Sequence, residues 1–215
     1  MTVDVDARVK AFLGERNSGA RPASFDFCFN HFQDARDRDE LDDLKDGHGL
    51  VLSSLHLGFY LASWGMMRGS GELSRRSVRE LFPVARANVA EPPRTWAIDV
   101  HGYETEIDEL LEVSRRIRGA FMVNASDTLV TKTMLGVFGC VPAFDRYFRI
   151  GFGCSTLGRS ALEKIGRFYQ NNTAAVDGAQ VLTLDVVTGL TTDRRYPRAK
   201  IIDMVFSEEG IRPNE

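Results

Sequence analysis

Residues 124–153 run NASDTLVTKTMLGVFGCVPAFDRYFRIGFG and carry the start and stop signals of two helices in thirty residues. Ser126 or Asp127 stands where an N-cap belongs, because its side-chain oxygen can accept from the free amides of a first helical turn. The apolar run that follows predicts a helix to about Phe138. Gly139 is placed as the residue just past its end, where a left-handed conformation is needed, and Pro142 forbids continuation. Asp145 then opens a second helix. Helix, glycine-containing turn and helix at this spacing predict an α-helical architecture.

The flanking sequence agrees. Leu50 to Arg68 is apolar nearly all round, the pattern of a helix buried at the centre of a fold. Thr105 to Met122 places Ile107, Leu110, Leu111, Ser114 and Ile117 at helical spacing with charges opposite. Val3 to Glu15 reads as a short amphipathic helix before a breaker, and Ser24 as the cap of a phenylalanine-rich helix. Glu72 to Asn88, Ser160 to Thr173 and Arg198 to Glu209 predict further helices. Thr95 to His101 reads as a short extended piece, Asp34 to Asp46 as a solvated charged stretch, and Ala179 to Leu190 fits helix or strand. There are no repeats and no Rossmann or P-loop glycine pattern. The expectation is an all-α fold: one compact helical domain over 1–215 with about eight helices. A helix-hairpin-helix-like element lies near 127–150, and 1–22 form a flexible N-terminal segment.

A chain of 215 residues, 43% hydrophobic and 27% charged, is ordinary for a globular domain. A net charge of -3 does not mark a nucleic-acid binder in bulk, so distribution decides. Residues 1–50 are acidic, whereas 115–150 carry Arg115, Arg116, Arg118, Lys132, Arg146 and Arg149 against Asp127 and Asp145. A basic face on an acidic protein is one reading, and arginines on solvated helix faces the other. Three cysteines with no close pair argue for reduced thiols. The four histidines show no ligand spacing to them, so neither a metal site nor a cofactor is expected. The chain begins without the apolar run of a signal peptide, and no segment reaches membrane-spanning length, so a cytoplasmic protein that does not contact membrane is expected. The oligomeric state is left open.

The run LGVFGCVPAFDRYFRIGF resembles the helix-hairpin-helix DNA glycosylases, in which a similar turn leads to a catalytic aspartate with an arginine on the helix behind it. Asp145 and Arg149 match those two positions. The family's L-P-G-V-G hairpin is replaced by Leu135-Gly136-Val137-Phe138-Gly139, and the distance to the aspartate is shorter. With LHLGFYLASWGM (55–66), the text is similar to bacterial phage-defence DNA glycosylases that excise glucosylated hydroxymethylcytosine. The resemblance implies a DNA partner carrying modified bases and base flipping.

On that reading Asp145 is the catalytic carboxylate. Breaking an N-glycosidic bond develops positive charge on the sugar, and a carboxylate beside it stabilises that charge and orients a water. Its bland alternative is a plain helix cap. Lys132 matches the Schiff-base lysine of bifunctional members, or is a solvated surface lysine. His56, Tyr60 and Trp64, at i, i+4 and i+8, line either a pocket for an extruded base or the core. Asn30 and Trp96 are further pocket candidates. Arg146, Arg149, Arg115, Arg116, Arg118 and Thr128 are candidates for the DNA backbone, Thr128 being equally a cap. A non-catalytic interaction or antitoxin-like module is the main competing reading. A HEPN-type RNase is the lesser one, because one Arg–His pair, Arg94 and His101, has its spacing.

Overall fold

The computed structural model describes residues 3–14, 16–69 and 72–211. Asp4 starts α1 (Val5–Leu13) by accepting from the Ala7 amide, which satisfies one of the free amides of a helix start. The chain continues through α2 (Ala23–Asp37), α3 (Gly47–Ser63), α4 (Phe82–Val89), α5 (Pro93–Trp96), α6 (Tyr103–Ala120) and α7 (Asp127–Phe138). It ends with α8 (Arg146–Phe152), α9 (Arg159–Asn171), α10 (Thr173–Gly178), a hairpin of β1 (Leu182–Leu184) and β2 (Thr191–Arg195), and α11 (Arg198–Ile211). The fold is all-α. Of the eleven α-helices among the described residues, α5, α8 and α10 span seven residues or fewer, too short for periodicity to register. The sheet among the described residues is this antiparallel pair, with Leu182 opposite Arg195 and Leu184 opposite Thr191, which resolves the ambiguous 179–190 segment.

The central helix is α7, not α3. Every residue from Leu129 to Phe138 is buried, and α2, α3 and α6 pack around it. In contrast α3 leaves Val51, Leu52, Leu55 and Phe59 exposed, so its all-round apolar character does not reflect all-round burial. It also stops at Ser63, and Gly65 follows at φ +82°. Pro83 occupies the first turn of α4, where its missing amide costs nothing. Residues 72–81 therefore form two separate 3-10 turns instead of the first half of one helix. The extended piece expected over 95–101 is helical instead: Pro93 starts α5, and Asp99 caps a 3-10 turn by accepting from Val100. α2 begins one residue before Ser24, whose side chain is buried inside the first turn.

The N-terminal segment expected to be flexible is packed. Val5, Val9 and Phe12 are buried, and α1 lies against α11; the expected helix end at Glu15 lies outside the described residues. α11 in turn crosses α8 so closely that a methyl group on Gly151 would run into the Phe206 carbonyl, and one on Gly210 into that of Tyr147. Both positions require a residue without a Cβ. α11 thus packs against both α1 and α8.

Between α1 and α2 the chain is pinned by Asp26, which is wholly buried. Arg16 donates to its Oδ2 from Nε at 3.1 Å and Nη2 at 3.0 Å, and Nη2 also reaches the Leu182 carbonyl at 2.6 Å. Burial outweighs the guanidinium and pushes the Asp26 carboxyl up to about 6 from 3.8. Between those values the native state holds a proton that the unfolded chain has lost. The contribution of Asp26 is therefore largest below about pH 4 and declines as pH rises to about 6, by about 3 kcal/mol. His31 has the opposite sign. Burial, with His56 beside it, lowers its imidazole to about 4 from 6.5, so its contribution grows over pH 4–6.5. The two slopes oppose each other over this window. In Asp26→Asn the urea midpoint is expected to climb from pH 4 to pH 6.5. A profile parallel to wild type would contradict the buried-carboxylate account.

Candidate active site

Asp145 is the N-cap of α8: its Oδ1 accepts from the Phe148 amide at 3.0 Å. Its Oδ2 takes a different partner, Lys132 Nζ at 2.9 Å, from the middle of α7. Lys132 is 3% exposed, so the solvated-lysine reading fails. Burial raises the Asp145 carboxyl, but the Lys132 charge and hydrogen bond, the Phe148 amide and the more distant Lys200 outweigh it. The net direction is down, so the group is an anion at neutral pH.

The linker that brings α8 back to α7 is held on several sides. Gly139 ends α7 at φ +69°, a conformation that costs other residues energy. Thr131 Oγ1 accepts from the Phe144 amide at 2.8 Å, Thr128 Oγ1 donates to the Phe144 carbonyl at 2.8 Å, and Asp203 Oδ1 accepts from the Ala143 amide at 3.0 Å. Thr128 therefore positions the linker.

Trp64 completes the centre. Its indole stacks on Phe12 at 6.4 Å with the rings 8° from parallel. Three cations lie over it: Arg21 at 4.8 Å, Lys132 at 5.0 Å and Lys200 at 5.4 Å from the ring centroid. Lys200, on α11, is itself buried and pairs with Asp203 at 2.8 Å. The indole Nε1–H is buried without an acceptor among the described residues. A cavity of about 140 Å³ opens here, lined by Phe12, Arg21, Trp64, Asp145, Tyr147 and Ile211, with Pro22, Ser207 and Glu208 completing the wall. A larger surface cleft of about 700 Å³ lies between Arg36, Lys45, Glu91 and Trp96. Arg36, Asp42, Lys45 and Glu91 are paired there, which leaves the Asp39 carboxylate as its one charged side chain without a partner among the described residues.

Of the residues expected at the site, the structure brings Asp145, Lys132 and Trp64 together. Tyr60 is wholly buried against Phe25 and Gly136, close enough for Asp145 and Asp203 to oppose its ionisation, but outside the cavity lining. His56 stacks on His31 at 4.3 Å in the seam between α3 and α2. The expected stripe breaks because Trp64 lies beyond the end of α3. Asn30 donates to the Leu184 carbonyl at 3.0 Å and ties α2 to β1. Trp96 is core, packed on Phe138 with its Nε1–H on the Glu91 carbonyl at 3.1 Å.

The basic candidates separate in the same way. Arg115 pairs with Glu112, Arg116 with Glu91 and Glu109, and Arg118 with Asp127 and the Ala125 carbonyl. This stretch of α6 is therefore no free basic patch. Arg146 and Arg149 are exposed on α8 beside Asp145, Arg149 donating to the Ser155 carbonyl at 3.1 Å. The sequence does not mark Arg21, Phe12 or Asp203 as site residues. No local spacing marks them, because they converge from the two ends of the chain. No group of three or more metal-ligating side chains clusters among the described residues, and no helix there is long and apolar enough to cross a membrane.

No protein-family model, curated protein or solved structure matches the chain.

Removing the Asp145 charge strands the buried Lys132 ammonium, which costs roughly 3–5 kcal/mol, whereas removing Lys132 strands a carboxylate that is partly exposed and keeps the Phe148 amide. Lys132→Met is therefore expected to lose about 1–3 kcal/mol in urea unfolding at pH 7. Asp145→Asn is expected to lose more even though asparagine still caps α8, because Lys132 is then left without a countercharge. A loss below about 1 kcal/mol in Lys132→Met would show that the pair is not closed in solution.

Proposed function

We propose that the chain is a DNA glycosylase that cleaves the N-glycosidic bond of an extruded, modified base. The observation that carries this reading is the buried Lys132–Asp145 pair at the wall of a tryptophan-lined cavity. Bond cleavage needs an anion held next to the sugar, in a place with few competing waters. Asp145 is that anion: its side chain is 19% exposed and faces the cavity, whereas the Lys132 side chain is 4% exposed and does not line it. Asp145 therefore meets the substrate, and Lys132 holds it ionised and in place.

In the reaction, a water attacks C1′ while the C1′–N bond breaks and its electron pair leaves with the base nitrogen. Asp145 stabilises the positive sugar in the transition state and takes the water's proton. The enzymes that act on a base take it out of the duplex and stack it on apolar or aromatic side chains, and the Trp64 indole offers such a surface in the cavity wall. Arg146 and Arg149, on the helix that Asp145 caps, meet phosphates of the flanking backbone. Action on phage DNA rests on the sequence resemblance alone.

The competing reading is that the pair is a structural clamp between α7 and α8, because both carboxylate oxygens already have protein partners. Activity decides between them. Purified protein is incubated with plain, methylated, hydroxymethylated and glucosylated duplexes, and abasic sites are counted. Release from at least one modified duplex is expected, with a loss of about 100-fold or more in Asp145→Asn. Borohydride should trap no covalent complex; a trapped adduct would move the nucleophile's role to Lys132. No release from any duplex would leave the clamp.

Binding supplies a separate check. Each phosphate contact contributes about 0.9 to the slope of log affinity against log salt. Arg146→Ala is expected to flatten that slope by about one contact, and Arg115→Ala to leave it unchanged, because Arg115 is neutralised by Glu112. Equal slopes in the two variants would remove α8 from the DNA-binding surface.

A further inference from the structure

The free protein fills its own stacking surface. Arg21 is exposed, and its guanidinium lies 4.8 Å from the centroid of the Trp64 ring with no ion pair among the described residues. The other two cations over that ring are each matched by a carboxylate, Lys132 by Asp145 and Lys200 by Asp203. Arg21 is thus a planar, charged group whose described partner is an aromatic face, an arrangement worth only about 0.5–1 kcal/mol at an exposed site. The cavity beside it measures about 140 Å³, well short of the roughly 300 Å³ at which small-molecule sites begin. A base that stacks on Trp64 must therefore displace the guanidinium. The Arg21 side chain is exposed and forms no ion pair among the described residues, so no charged contact has to break for it to leave the ring. Guanidinium groups pair bidentately with phosphate.

We propose that Arg21 is a substrate-binding residue that holds the place of the base on Trp64 and, when a base enters, swings out to pair with the phosphate of the same nucleotide. The ligand class is a deoxynucleotide, a planar base with its phosphate attached. The inference rests on the glycosylase reading for its biological substrate, but it can be tested without catalysis.

The probes are deoxycytidine 5′-monophosphate, deoxycytidine and inorganic phosphate, titrated into the full chain while tryptophan fluorescence is followed. Trp64→Phe identifies the signal of this indole. The monophosphate is expected to quench Trp64 and to bind about tenfold more tightly than deoxycytidine, the advantage of one charged hydrogen-bonded contact. In Arg21→Gln that preference is expected to fall to about one, with deoxycytidine bound at least as well as by wild type and the melting temperature unchanged. A monophosphate preference that survives in Arg21→Gln would overturn the proposal. So would monophosphate binding that leaves Trp64 unquenched, or an absence of monophosphate binding to wild type. Arg21-dependent nucleotide binding without base release from any duplex would keep Arg21 and discard the glycosylase reading. Base release that is indifferent to Arg21→Gln would do the reverse.

Discussion

An ammonium group taken out of water costs several kcal/mol unless a countercharge and hydrogen bonds replace its hydration. Lys132 lies in the middle of the most buried helix of the fold, so this requirement dictates what surrounds it. Its partner must be an anion, must come from another element, and must be fixed within hydrogen-bond reach. Asp145 meets all three conditions because the chain reverses at Gly139 and returns through residues 140–144. The hydrogen bonds of Thr128, Thr131 and Asp203 to that linker keep the reversal in one register. The close crossing of α8 and α11 at Gly151 and Gly210 then sets Lys200 and Asp203 beside the first pair. Four charges, arranged as two neutral pairs, share one aromatic wall made by Phe12, Phe25 and Trp64.

What could be read from sequence was what is local. Ser126, Gly139, Pro142 and Asp145 act within a few residues of themselves, so the two helices and their turn were legible to within a residue. Helix caps depend on neighbours three positions away, and the structure shows Ser126 accepting from Leu129 and Asp145 from Phe148. What depended on distant neighbours was not legible. The apolar stretch of α3 looked central because apolar residues lie on all its faces, yet four of them face outward. Trp64 was singled out as the third step of a helical stripe, and it reaches the site for the contrary reason, because the helix has ended and the chain turns there. A charge count over 115–150 leaves a basic face and solvated arginines equally open, and Glu91, Glu109, Glu112 and Asp127 neutralise the arginines of α6 one by one. Glu91 alone, buried and 24 residues before that stretch, could not have been weighed without the fold.

The same geometry admits a structural and a chemical use, and energetics alone does not separate them. A buried pair that only fastens α7 to α8 is replaceable by apolar side chains of similar volume, often at no loss of stability. A pair that presents an anion to a substrate is not replaceable, however stable the substitute. The cavity, the partly exposed Asp145 side chain and the indole with an exposed cation over it favour presentation. A clamp has no need of an aromatic wall or an opening.

The double variant Lys132→Met with Asp145→Asn puts this distinction to the most direct test. Neither charge is then stranded, so the melting temperature should return most of the way from the single variants toward wild type. On the glycosylase reading, abasic-site formation should nevertheless stay at the level of Asp145→Asn. Base release that recovers together with the melting temperature would show that activity follows stability alone, and would contradict a catalytic Asp145.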